Sequence, residues 1–98
     1  MSRQLIIRPE AENDLAEALE WYEGRVPGLG LEFIHTVESL FNSIIRNSQA
    51  YPVVYKTVRR ALTRKSPYEI FFVAEGGNVA ILAVFHAKRS PRRWQKRI

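Results

Sequence analysis

His86 closes an unbroken apolar run, Val79-Ala80-Ile81-Leu82-Ala83-Val84-Phe85, and Lys88, Arg89, Arg92 and Arg93 follow it closely. An unperturbed imidazole ionises near ~6.5, so it can take or give a proton at neutral pH. Metal-free RNA cleavage needs a base for the 2′-hydroxyl, cations for the phosphorane and an acid for the leaving oxygen. Arg60, Arg64, Lys65, Lys88, Arg89, Arg92 and Arg93 could supply the cations. If the chain were a nuclease, His86, Arg64 and Arg89 would be its catalytic candidates. No carboxylate lies within sequence reach to orient the His86 ring. The simpler role, a strand-terminal histidine hydrogen-bonded to backbone, is therefore expected.

The tail from His86 to Ile98 holds no second acid–base group. Its only aromatic is Trp94, whose indole cannot exchange a proton usefully. Set among Arg92, Arg93, Lys96 and Arg97, it could stack on a base or anchor a protein contact. Alternatively it folds back and pins the tail to the sheet edge. The second role is expected, because a free segment so rich in like charge is otherwise disordered. Tyr68 begins an apolar strand and is expected to pack there. Glu32-x-x-His35 lacks the second copy and the further inward acids that a metal pair needs, so no metal is expected. Glu10, Glu12, Asp14, Glu17, Glu20 and Glu23 are too many for an acid–base pair and suggest a solvated helix face. Gly76-Gly77 precedes no helix and so is no phosphate loop. No cofactor is implied.

These residues need elements to position them. Leu5-Ile6-Ile7 is a short strand flanked by Arg3 and Arg8. Pro9 suits the first position of a helix, and Glu10, Glu12 and Asp14 favour its dipole. Ala11, Leu15, Ala18, Leu19 and Tyr22 recur at helical spacing, which predicts a helix from Pro9 to Glu23 capped by Gly24. After Val26-Pro27-Gly28 a second helix is predicted from Leu29 to Asn47. Its apolar stripe is Ile34, Val37, Phe41 and Ile44, widened by Phe33, Leu40 and Ile45. So short a connection between long helices gives an antiparallel hairpin. Beyond Tyr51-Pro52 the pattern turns extended. Strands are predicted over Val54 to Arg64, Tyr68 to Ala74 and Val79 to Phe85, the last two joined by a turn at Gly76-Gly77-Asn78. Both of these lack polar alternation and should be central in the sheet. The fold class is α+β, with the order β-α-α-β-β-β and a basic tail. The helices should cover one sheet face, leaving the other face or its rim for the basic residues.

The 98 residues suit one domain, 1–98, with an apolar fraction of 46%. With no cysteine, disulfides, thiolate metal sites and cysteine nucleophiles are excluded, which is compatible with a cytoplasmic protein. Leu5-Ile6-Ile7 is too short for a signal-peptide core or a membrane span. The net charge of +5 is unevenly spread. Residues 1–49 carry four arginines against eight acids; residues 50–98 carry eleven lysines and arginines against Glu69 and Glu75. That asymmetry suggests a face meeting an anionic partner, either nucleic acid or an acidic protein segment.

Three stretches resemble the RelE/ParE toxin family. Val58 to Phe72 has paired arginines (Arg59, Arg60), Leu62, further basic residues and Pro67-Tyr68 leading into a strand. Val79 to Trp94 has an apolar strand ending in His86, a basic step and Pro-x-x-Trp. Arg8-Pro9-Glu10-Ala11-Glu12-Asn13-Asp14-Leu15 is similar to the family's first strand-to-helix junction. Ser66 stands where the family often has an aromatic residue, and Ser90 where it often has an acid. The resemblance implies a cytoplasmic toxin of a type II toxin–antitoxin, or plasmid stabilisation, system that inhibits growth. A cognate antitoxin would silence it, in a possible hetero-oligomer. The tail has no reactive tyrosine, which favours the ParE-like branch, directed at DNA gyrase and not a nuclease. The alternatives are a RelE-like, metal-independent endoribonuclease acting on ribosome-bound mRNA, and a non-toxic nucleic-acid or protein binding module. Arg59, Arg60, Arg64, Lys65, Lys88, Arg89, Arg92, Arg93 and Trp94 are the expected target- or partner-binding residues.

Overall fold

The computed structural model describes residues 4–98, so the flanking role expected of Arg3 lies outside the described residues. Strand β1 is Leu5–Ile7, helix α1 Pro9–Arg25 and helix α2 Leu29–Arg46. A 3-10 turn at Ser48–Ala50 leads to β2, Val53–Tyr55; then come β3, Val58–Leu62, β4, Tyr68–Glu75, and β5, Asn78–His86. A short helix α3 spans Arg92–Gln95. The sheet order is β1-β5-β4-β3-β2, with β1 parallel to β5 and every other pair antiparallel. The α+β arrangement and the central placement of the two apolar strands agree with the sequence pattern.

Three local expectations are corrected. The single extended run over residues 54–64 is two strands, β2 and β3, folded back on each other at Lys56-Thr57. Lys56 has φ 51°, and neither glycine nor proline marks this turn. The return lets Pro52 accept the Arg60 N–H at 3.0 Å. Second, Gly24 does not cap α1. The helix runs on to Arg25, and its last turn is closed by the Val26 N–H bonding to Tyr22 O at 3.2 Å. Third, two of the α1 acids are not solvated bystanders. The Glu23 carboxylate accepts the N–H groups of Gly28 and Gly30, each at 3.0 Å, and so fastens the helix–helix connection. Asp14 is buried.

The helices bury one stripe each against one face of the sheet. Ala11 and Ala18 of α1 and Phe33, Val37, Phe41 and Ile44 of α2 meet Ala61, Ile70, Phe72, Ile81 and Val84. The opposite face has a core of its own, built from Val58, Phe71, Leu82, Ala83, Phe85 and Trp94. A bulge makes this second core possible. Phe71 pairs with Ala83 and Phe72 with Ile81, so Leu82 is the extra residue. Leu82 and Ala83 therefore both serve the second face, and the alternation beyond them is reversed. The β4–β5 turn is Gly76-Gly77, with φ 55° and 84°. Positive φ at both central residues is what a two-residue hairpin turn with matched twist requires.

Candidate functional site

Trp94 is 3% exposed and stacks on Phe71 with ring centroids 4.0 Å apart, while Tyr55 meets it edge-on at 5.7 Å. Its indole lies across the second sheet face and not at the sheet edge. The burial of one indole holds α3 in place, and Lys88, Arg92, Arg93 and Lys96 stand exposed around it. None of these four cations forms an ion pair among the described residues. Arg89 is half-buried, its guanidinium 3.9 Å above the Phe85 ring.

The other predicted cations lie elsewhere. Arg59 points to the helix side, donating to the Tyr51 carbonyl and reaching Gln49 Oε1 at 3.4 Å. Arg60 faces Glu69 at 3.6 Å. Arg64 and Lys65 sit at the tip of the β3–β4 connection, exposed over an open groove of about 790 Å³ shared with His35, Ser39 and Arg46 of α2. The buried Thr63 shapes that tip. Its hydroxyl lies 2.6 Å from Ser66 Oγ and 2.8 Å from the Ser66 carbonyl. Ser66 is thus held by hydrogen bonds where an aromatic residue was expected. The basic residues do not gather on one face: one group rides on α3 and the turn before it, the other on the tip beside α2.

Side chains close part of the β5 edge. Because β1 pairs only with residues 79–81, the stretch of β5 beyond it has no neighbouring strand there. The reversed alternation turns the Val84 N–H and the Leu82 carbonyl outward at this place. Asp14 Oδ2 accepts the Val84 N–H at 3.0 Å, and Arg97 donates to Leu82 O at 3.1 Å. The two side chains also bond each other, at 2.7 and 3.1 Å. This two-pronged bond to Asp14 raises the Arg97 pKa above its already high ordinary value, against the cost of burial.

Beside this closure lies a cleft of about 390 Å³ between α1 and the His86 end of β5. His86 accepts the Lys88 N–H on Nδ1 at 3.1 Å, which leaves Nε2 to carry the proton of the neutral ring. Tyr68 pairs with His86 across the ladder, their rings 5.4 Å apart, and packs on Tyr22 and Phe33. Burial pushes the Tyr68 phenol above its usual 10.0, with Tyr22, Glu17 and Asp14 adding to the rise and Arg89 opposing it.

The profile of the family described as "ParE toxin of type II toxin-antitoxin system, parDE" matches residues 5–91. The chain belongs to the ParE toxin family. A solved chain from a "Chromosomal ParDE TA system from P. aeruginosa" superimposes with a TM-score of 0.76 at 17% identity, covering 86% of this chain and 95% of that one. At that identity the likeness speaks for the fold. No curated protein matches the sequence.

In this ParE-family toxin the structure brings His86, Arg89 and Tyr68 to one cleft and holds Arg64 and Lys65 apart from them. Two residues that organise the region, Asp14 and Arg97, were not singled out by their types. A signal for Asp14 existed: it falls between Ala11 and Ala18 on the apolar stripe of α1, where an acid needs a partner. Among the described residues no helix is long and apolar enough to cross a membrane.

Proposed function

We propose that this type II toxin stops growth by binding DNA gyrase through the surface around α3, and that a cognate antitoxin neutralises it. The observation carrying this reading is the exposed set Lys88, Arg92, Arg93 and Lys96, carried on α3 and the residues flanking it, where Trp94 is spent on packing. Charge is thus presented on an ordered element, which suits a contact to a large anionic or nucleic-acid-bound target. Membership in the ParE family supports the choice of gyrase. No step on this reading asks the chain to break a bond, and α3 offers no proton donor of its own beyond its cations.

For the antitoxin, the groove between α2 and the 63–66 tip has suitable chemistry. Arg46, Arg64 and Lys65 rim it, and Leu62, 57% exposed, supplies an apolar contact. An acidic, partly disordered segment that folds on binding would fill it. The toxin would then act in the cytoplasm, where replication takes place.

The deciding measurement is supercoiling by purified gyrase with and without the toxin, beside the state of mRNA in cells expressing it. Inhibited supercoiling with intact message is expected. The double variant Arg92→Glu/Arg93→Glu should lose most of the inhibition while remaining folded, since both side chains are exposed. Cleaved message with unaffected gyrase would instead establish the ribosome-dependent nuclease. Titration with the purified cognate antitoxin should restore supercoiling, and Arg64→Glu/Lys65→Glu should weaken that rescue.

A further inference from the structure

The cleft at the His86 end of β5 is lined by Glu17 and Trp21 of α1, by Tyr68 and His86 at the strand ends, and by Arg89. Its origin is the shortness of β1, which leaves α1 hanging over an uncovered length of β5. Asp14, also in the wall, is already saturated by Arg97 and the Val84 N–H. Glu17 and Arg89 are not. Among the described residues neither forms an ion pair or a side-chain hydrogen bond, although both act on the Tyr68 hydroxyl strongly enough to affect it. The Tyr68 hydroxyl and His86 Nε2 likewise have no hydrogen-bond partner there. Trp21, 50% exposed, adds an indole, with Arg25 packed 4.3 Å above its ring. One small cleft therefore holds an unpaired anion, an unpaired cation braced on Phe85, two further hydrogen-bonding groups and an accessible aromatic surface.

We propose that this cleft binds a guanine nucleotide, with Glu17 accepting from the base, Trp21 stacking on it and Arg89 holding the phosphate. Guanine is the base that offers two adjacent N–H donors on its Watson–Crick edge, the complement of a carboxylate. Adenine, cytosine and uracil each present one donor beside an acceptor. Stacking on an aromatic side chain together with edge recognition is how proteins hold unpaired bases. A phosphate suits a guanidinium that is braced and unpaired, and Tyr68 and His86 are placed to bond ribose or phosphate oxygens. The volume of about 390 Å³ lies in the range of small-ligand sites. The nucleotide could be free or part of a single strand.

Calorimetric titration of the whole chain with GMP, AMP and inorganic phosphate tests the assignment. GMP should bind, with AMP weaker by about 10-fold or more because an unmatched edge leaves polar groups unpaired. Glu17→Gln should erase that preference without moving the thermal midpoint, since Glu17 is exposed and bonds nothing in the fold. Trp21→Ala should weaken GMP by about 10-fold, the worth of one stacked base. Oligouridylates with and without a single guanosine separate the sources. Tighter binding of the guanosine-bearing strand than of GMP assigns a base within a strand; equal binding assigns the free nucleotide. The proposal is overturned if GMP binds no better than phosphate or AMP, or if Glu17→Gln keeps the preference.

Discussion

At the residue scale, the Asp14–Arg97 pair joins positions 83 apart in the chain. Removing one partner of a buried, hydrogen-bonded pair leaves the other charge uncompensated, which typically costs several kcal/mol. Arg97→Ala should therefore destabilise the toxin by about 3 kcal/mol, measured by urea unfolding. The Val84 amide should exchange with solvent faster in the same variant. Tyr68 gives a pH prediction. A phenol whose folded pKa exceeds 10.0 binds its proton more tightly folded than unfolded. Its contribution is fully present below pH 10.0 and is lost as pH rises through the higher folded value. Tyr68→Phe should accordingly flatten the alkaline fall in thermal midpoint. Of these residues, Asp14 was read with the solvated acids, although its place on the apolar stripe of α1 carried a signal of burial. Arg97 carried no such signal, because nothing local distinguishes it from the other cations of the tail.

At the scale of elements, the helix hairpin depends on one close approach. A Cβ placed on Gly30 would stand 2.6 Å from Leu19 Cδ1 and 2.8 Å from Glu23 Oε1, whereas one on Gly24 would meet nothing within 4 Å. Gly30→Ala should lower the thermal midpoint by disturbing both the α1–α2 contact and the Glu23 bonds. Gly24→Ala should raise it, worth about 0.5–1 kcal/mol for a residue inside a helix. Trp94→Ala removes most of what holds α3, and should cost about 3–4 kcal/mol in denaturant unfolding. The helices and the two central strands were legible because long apolar patterns decide them. The β2–β3 turn was not: Lys56-Thr57 has no turn residues, and the tertiary pairing of two short strands imposes it. The second core was hidden for a related reason. A bulge at Leu82 changes which face each residue meets, and a continuous apolar run gives no clue to such a shift.

For the whole molecule, the asymmetry of charge along the sequence carries into space only in part. Asp14 and Glu17 of the first half lie beside Arg97 and Arg89 of the second, and pairing and side-chain direction withdraw Arg59, Arg60 and Arg97 from the surface set. What remains is two separate basic areas, one on α3 and one beside α2. If these serve target and antitoxin respectively, both associations should weaken as ionic strength rises. The Arg92→Glu/Arg93→Glu variant should then slow association with gyrase while leaving antitoxin affinity nearly unchanged, as read by binding kinetics. A total of +5 predicts a basic surface; only the folded arrangement divides it into two.

The carboxylate and guanidinium at the β5 edge also bear on how copies of this chain behave toward each other. Leu82-Ala83-Val84-Phe85 is an apolar segment with strong tendency to pair, and an open backbone row there would offer neighbouring molecules a template. One ion pair thus acts as a guard against self-association. Loss of Arg97 should show itself as turbidity that grows with protein concentration, at temperatures where the native fold still persists.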